Sequence, residues 1–444
     1  MMCSNTLQKV FLCTICLIYF VGCQPTSRTL TETAVSTPQS PQANTTDYLP
    51  IIKTPPDAEP TGLVYPGDLT YLGAFKVPTG SSGGSRFGFS GHNLAFRPDG
   101  DPNGADDGFP GSLYFNGFEL DQLIVEINIP RPTISPGKNV LDLETAVVLQ
   151  PFADVTGGRK FDITDDPRIG GLAYLPAQPG QDGPKLYWTV YKWYNVAIDP
   201  IAGHGYSNPD MSNPDPQGGW NLGNFHNQMT AGYLFTAPAA WANAHTGGKR
   251  LISGLNINQG VSASSAGPAM FAYAPWLHPV QPPPPGATLD VVPLVYYTLD
   301  EHEIPDHKIP DEWEGGAWLT APSKQAVVIT GRKSLGEEYY GEARPGDCDP
   351  YKGYHGDPYE PQILFYDPAD LAASARGEVE PWDVLPYERW TVTDILFPTC
   401  EGFLPGAAFD TDNGYLYIIQ PGADTVSDEF EPQPVIHVFH LPQK

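Results

Sequence analysis

Short apolar runs, alternating with polar positions and closed by Gly, Asp or Pro, recur along the chain from about residue 69 to residue 440. Runs of this length and period predict β-strands, and long stretches of helical period are missing. The runs group into units. "GHNLAFRPDG", "GSLYFNGF" and "QLIVEINIP" form one unit, and "GGLAYLPAQ", "PKLYWTVYKWYN" and "AGYLFTAP" form the next. "GGAWLTAPS", "QAVVITGRK" and "PQILFYDP" form a later one, and "PGAAFDTDNG", "YLYIIQPG" and "PVIHVFHL" the last. Fourth strands are expected at "TAVVLQPF", "LVYYTL" and, after a short helix at "PADLAASARG", "RWTVTDILF". Repeated four-stranded antiparallel units predict the blades of an all-β propeller.

The last unit lacks a fourth strand before the chain stops, whereas an extra one, "LTYLGAFKVP" (69–78), precedes the first unit. A ring of blades must close to leave no unpaired edge, so the N-terminal strand is assigned to the last blade. Between 250 and 299 the pattern weakens, and "RLISGLNINQG" with "TLDVVPLVYY" reads as a shortened blade. Counting it predicts five blades, with six as the alternative. The rhythm is similar to NHL-type and SMP-30-like propellers, most clearly in "LPGAAFDTDNGYLYIIQ" and "VIHVFHL" (404–440). That resemblance implies the fold and, because such blades host many activities, little else. An uncharacterised group of secreted bacterial propellers is a second resemblance that carries no activity over.

The N-terminus changes the picture of where this domain works. "VFLCTICLIYFVG" is too short to span a bilayer and fits the apolar core of a secretory signal. The following "FVGC" resembles a bacterial lipobox, which makes Cys23 the lipidated residue of a mature chain, although Phe20 departs from the usual Leu. Residues 24–61 are rich in Ser, Thr, Pro and Gln and read as a disordered tether. The expected organisation is therefore a signal peptide over 1–23, the tether, and one propeller over 62–444. Such a chain belongs in the cell envelope, facing the periplasm or the exterior, with a lipid anchor as its only membrane contact. A formal charge of −27 argues against nucleic acid and anionic lipid as partners and is compatible with cation binding.

In a propeller the second-to-third and fourth-to-first connections share one rim. The longest segments fall there, including 195–228 and 334–360, and they are rich in Tyr, Trp, Asn, His and carboxylates. Of six cysteines, three leave with the signal and Cys23 takes the lipid. Cys348 and Cys400 remain on neighbouring rim loops, and in an oxidising compartment they read as a disulfide. A zinc site of these thiols with His355 is a weaker alternative, because no CxxC spacing supports it.

Chemical motifs are few. "HEIPDH" (302–307) is one residue too long for a zincin HExxH, and its prolines forbid the helix. "DGDPNGADDG" begins like an EF-hand loop with Asp99, Asp101 and Asn103, but Pro110 stands where the closing Glu belongs. It reads either as a plain turn, the favoured reading, or as a structural Ca²⁺ site. Carboxylates at the starts of inner strands carry more. Glu314, Glu401, Asp165 and Asp166 precede such strands, as does His92, and all are expected to converge on the channel mouth.

Two functions follow from this ring. One is a binding protein for a glycan or other extracellular polymer, with Trp193, Tyr194, Trp220, His226, Tyr339, Tyr340, Tyr354 and His355 presenting faces and polar edges to sugar. The other is a carbohydrate hydrolase or lyase using Glu314, Glu401 and Asp166, possible with Ca²⁺, by analogy of geometry with five-bladed glycosidase propellers. Solvated channel-mouth carboxylates with no chemistry are the bland alternative.

Overall fold

The computed structural model of the protein describes residues 59–443, apart from 105–107, 164–165, 258, 261–262 and 300. The expected signal peptide, Cys23, nearly all of the tether, and Asp165 lie outside the described residues. Five antiparallel sheets form the blades of a propeller. Blade I comprises Ala95–Arg97, Ser112–Asn116, Ile124–Asn128 and Val148–Ala153. Blade II comprises Pro167–Leu175, Lys185–Lys192, His204–Ser207 and Gln217–Leu222, and blade III Leu234–Thr236, Leu251–Ser253, Met270–Tyr273 and Val291–Val295. Blade IV comprises Glu312–Thr320, Lys324–Ser334, Tyr359–Tyr366 and Glu388–Thr391. Its third and fourth strands are joined through the helix Pro368–Ala375, which Asp367 caps. Blade V has Gly406–Asp410, Tyr415–Asp424 and Gln433–His440, and its outer strand is Thr70–Lys76 from the N-terminus.

Closure therefore occurs as the pattern predicts. Thr70–Lys76 runs antiparallel to Gln433–His440, with Ala74 opposite His437 and Phe75 opposite Ile436. Just before it, Gly62–Leu63 pairs with Lys324–Gln325 of blade IV. The five blade interfaces each hold an apolar cluster. Leu186 and Trp188 meet Tyr114 between blades I and II. Trp220 and Tyr187 meet Phe271 and Tyr273 between II and III. Phe235 and Met270 meet Trp318 and Ile329 between III and IV. Val328 and Phe365 meet Leu416 and Phe439 between IV and V. Phe75, Tyr417 and Ile436 meet Leu113 and Val125 between V and I, which completes the ring. Where the inner strands crowd the axis only glycine fits: a Cβ on Gly170 would lie 2.4 Å from the Ala231 carbonyl oxygen. Among the described residues, no helix is long and apolar enough to cross a membrane.

One assignment changes. "AGYLFTAP" was expected as the third strand of the second unit, but Leu234–Thr236 is the innermost strand of blade III. The third and fourth strands of blade II come instead from 195–228, the segment expected as a long rim loop. This supplies the inner strand that 250–299 lacked and makes the count five, excluding six. The misreading has a cause: His204–Ser207 and Gln217–Leu222 contain glycines and polar residues in place of an apolar run, and they pair through their backbones.

Candidate functional site

The starts of the inner strands and the ends of the second strands face one rim, and there a cavity of about 1250 Å³ opens on the axis. All five blades line it. Phe89, His92, Glu119 and Gln122 come from blade I and the connections entering and crossing it. Asp166, Arg168, Tyr191, Trp193 and Tyr194 come from blade II. Gln259 and Gly260 come from blade III. Blade IV and its loops give Glu312, Glu314, Arg332, Tyr340 and residues 348–354, while Glu401, Phe403, Pro421 and Pro432 approach along blade V.

Arg332 organises the floor. It ends the second strand of blade IV, and its side chain is 5 % exposed. One guanidinium nitrogen lies 2.6 Å from Glu312 and another 3.4 Å from Glu401, so two carboxylates share one cation. The guanidinium also lies 4.2 Å from the centre of the Tyr359 ring and 5.1 Å from that of Phe403. The register shifts between Trp313 and Gly315, leaving Glu314 without a cross-strand partner, and Glu312 and Glu314 both line the cavity. Burial pushes Glu312 up to about 7 against the pull of Arg332. Burial, with the Glu312 carboxylate beside it, pushes Glu314 well above the ordinary carboxylate range and favours its acid form. Its buried Oε1 has no hydrogen-bond partner among the described residues.

His92 has its backbone N–H on Asn116 Oδ1 at 2.7 Å and its ring edge-on to Phe403. Burial, aided by Arg168 and Arg332, lowers its imidazole to about 4 and keeps it neutral. Arg168 forms the second cationic point. It pairs with Asp166 at 3.1 Å and Glu119 at 3.3 Å, and its guanidinium lies 5.6 Å from the Trp193 ring centre. Asp166 has φ +58°, a left-handed backbone that Asp tolerates. Above this floor Tyr194 and Tyr340, from blades II and IV, bring their hydroxyls to 3.5 Å, and Tyr340 packs edge-on to Tyr354 with ring centres 5.0 Å apart. Cys348 and Cys400 are bonded, with Cα atoms 5.4 Å apart at a sequence separation of 52, and both border the cavity.

Of the residues expected at the site, the structure brings together His92, Asp166, Trp193, Tyr194, Glu314, Tyr340, Tyr354 and Glu401. Four others are corrected. Trp220 lies on the outer strand of blade II, is fully buried against Tyr206, and donates its indole N–H to the Pro283 carbonyl at 2.9 Å. It is a core residue because its segment is a strand. His226 caps the helix Asn227–Thr230, accepting from the Gln228 N–H at 3.1 Å, and does not border the cavity. Tyr339 and His355 stack on each other in the hairpin that joins Tyr339–Gly341 to Gly353–His355, with ring centres 4.9 Å apart, instead of lining the cavity. At the opposite end of blade I, the expected calcium turn spends its groups locally. Asp99 pairs with Arg97 and accepts from the Tyr174 hydroxyl, both at 3.1 Å, and Asp101 accepts from the Asn103 N–H at 2.9 Å. An arginine on the carboxylate fills the charge role a cation would have.

Sequence reasoning missed Glu312, Arg332, Arg168, Tyr191 and Phe403. A signal existed for two of them. In "DEWEGG" Glu312 stands two residues before Glu314, and Arg332 interrupts the end of the apolar run "QAVVITGRK".

No family model matches the chain, and no curated protein matches it. Among solved structures, a chain of the Chaetomium thermophilum Polycomb Repressive Complex 2 bound to GSK126 is similar at 11 % identity and a TM-score of 0.29. The match covers 81 % of this chain and 56 % of that one, so this chain spans a little over half of that chain's length.

Proposed function

We propose that the protein binds a glycan in the axial cavity. The observation that supports this reading is the composition of one open cavity. Aromatic walls (Trp193, Tyr194, Tyr340, Tyr354) stand over a floor of charged groups (Arg168, Glu312, Glu314, Arg332). Aromatic faces suit the C–H faces of sugars, and fixed carboxylates and guanidinium groups suit hydroxyls, or acidic substituents where the glycan bears them. The expected lipidation of Cys23 would hold this cavity at the cell envelope, facing an extracellular polymer. Replacing Cys23 with Ala should then move the protein from the membrane fraction to the soluble one.

A second reading, cleavage of the bound glycan, is favoured by one observation. Glu314 is favoured in its acid form beside a cavity in which Glu401 is held against Arg332. A carboxyl that burial holds in its acid form, with a second carboxylate in the same site, is what acid-assisted glycosidic cleavage needs. A glycan-array screen followed by calorimetry on the selected sugar, run beside a hydrolysis assay, separates the readings. Binding alone predicts that Trp193→Ala lowers affinity by about tenfold or more, roughly 1.4 kcal/mol. Under that reading the double change Glu314→Gln with Glu401→Gln alters affinity only a few-fold. Cleavage predicts that the double change abolishes turnover and spares binding. A glycan bound equally well by all variants would show that the cavity is not the site.

A further inference from the structure

We propose that Asp347, His355 and Asp357 form a divalent transition-metal site, with Zn²⁺ the ion that its donor set suits. The three residues belong to the rim loop of blade IV, behind the cavity wall. One ligand atom from each lies within 4.8 Å of the others. Carboxylates cluster on many acidic surfaces, so proximity alone argues nothing. The argument rests on the imidazole. The His355 side chain is 0 % exposed, its Nε2 lies 3.2 Å from the Gly341 carbonyl oxygen, and its buried Nδ1 has no hydrogen-bond partner among the described residues. The carbonyl can only accept, so Nε2 donates to it, and Nδ1 is the ring atom left facing Asp347.

Asp347 Oδ2 lies 3.7 Å from Nδ1, too far for an N–H···O bond. Asp357 repeats the situation. One carboxylate oxygen accepts from the Cys348 N–H at 2.9 Å, and the other, Oδ2, is buried with no partner. Two partnerless buried atoms, His355 Nδ1 and Asp357 Oδ2, and the Asp347 carboxylate lie close together, an arrangement that a cation among them would satisfy. The supporting contacts are also those of metal ligands. A carbonyl orients the imidazole, a backbone N–H orients Asp357, and the Tyr339 hydroxyl and the Arg344 N–H hold Asp347. Tyr339 stacks on the His355 ring and fixes its plane.

The donor set selects the ion. Ca²⁺ and Mg²⁺ favour oxygen alone, whereas one imidazole with two carboxylates suits Zn²⁺ and leaves a position for water. Ligands of tetrahedral zinc at about 2.1 Å stand roughly 3.4 Å from one another, so small rotations of the aspartates close the site. Bound there, the ion would brace the loop that carries Tyr340, Tyr354 and the bonded Cys348. The site does not depend on what the cavity binds.

The test is direct metal binding. The full chain, stripped with chelator, is titrated with Zn²⁺ alone in the calorimeter, in parallel with Asp347→Asn, His355→Gln, Asp357→Asn and the triple variant. One zinc per chain is expected, persisting in about millimolar Ca²⁺ and weakened at least tenfold by each single change. The metal-free melting temperatures serve as a control: Asp357→Asn keeps the shape of the side chain, so it should fold like the wild type and still lose the ion. Wild-type protein that takes up no more zinc than the triple variant would overturn the site, as would single variants that bind as well as the wild type. Calcium displacing zinc at comparable concentration would overturn the choice of ion.

Discussion

At Glu314 burial acts against charge, and the consequence is measurable. A carboxyl whose folded-state pKa lies above its unfolded value of about 4.5 contributes stability that is complete below the unfolded value. That contribution is lost as pH rises, because the unfolded chain releases a proton that the folded chain retains. Glu314→Gln has no proton to lose. The variant should be more stable than the wild type at about pH 8, with the gap narrowing toward about pH 5, in urea unfolding followed by tryptophan fluorescence. A gap that widens as the pH falls would mean that Glu314 is ionised in the fold. Trp220 makes the opposite case. Because it fills the interface between blades II and III, Trp220→Ala should cost about 3–5 kcal/mol of stability in the same assay, whatever ligand is present.

Two elements hold the ring together. The outer strand Thr70–Lys76 buries Phe75 and brings the Tyr71 hydroxyl to 3.0 Å from His437 Nδ1. Removing residues 62–78 would uncover the whole edge of Gln433–His440 and empty part of the cluster between blades V and I. Such a truncation should aggregate or melt well below the full chain in light scattering and calorimetry. If it melts like the intact protein, another segment closes the ring. The Cys348–Cys400 bridge ties the blade IV loop to the connection entering blade V across 52 residues. Replacing both cysteines with serine should lower stability by about 2–4 kcal/mol, and reductant should then have no further effect.

For the whole molecule, charge opposes compaction. Fifty-one acidic side chains face twenty-four Lys and Arg, giving a net charge of −27. Raising ionic strength from about 0.01 M to about 0.15 M shortens the screening length from about 30 Å to about 8 Å. The melting temperature should therefore rise with NaCl over this range, as self-repulsion is screened before the local pairs on the buried floor are. A falling melting temperature would show that exposed ion pairs outweigh the net repulsion.

The blades with apolar inner and second strands were legible in the chain, and so was the closing N-terminal strand. Period-two alternation and Gly/Asp turns are local signals, and an unpaired last blade has one economical partner. The disulfide was legible for a similar reason: only Cys348 and Cys400 of the six cysteines fall in the repeat region, and the blade topology made their loops neighbours. Convergence of His92, Asp166, Glu314 and Glu401 also followed from topology, since every inner strand starts at the same rim. What the sequence concealed was decided by long-range packing. His204–Ser207 and Gln217–Leu222 form strands without an apolar run because they pair through backbone and share one blade face with Tyr206 and Trp220. Only that placement removed Trp220 from the site. Arg332 became the centre of the floor because two carboxylates from different parts of the chain, Glu312 and Glu401, meet on its guanidinium, and no spacing along the sequence encodes that meeting.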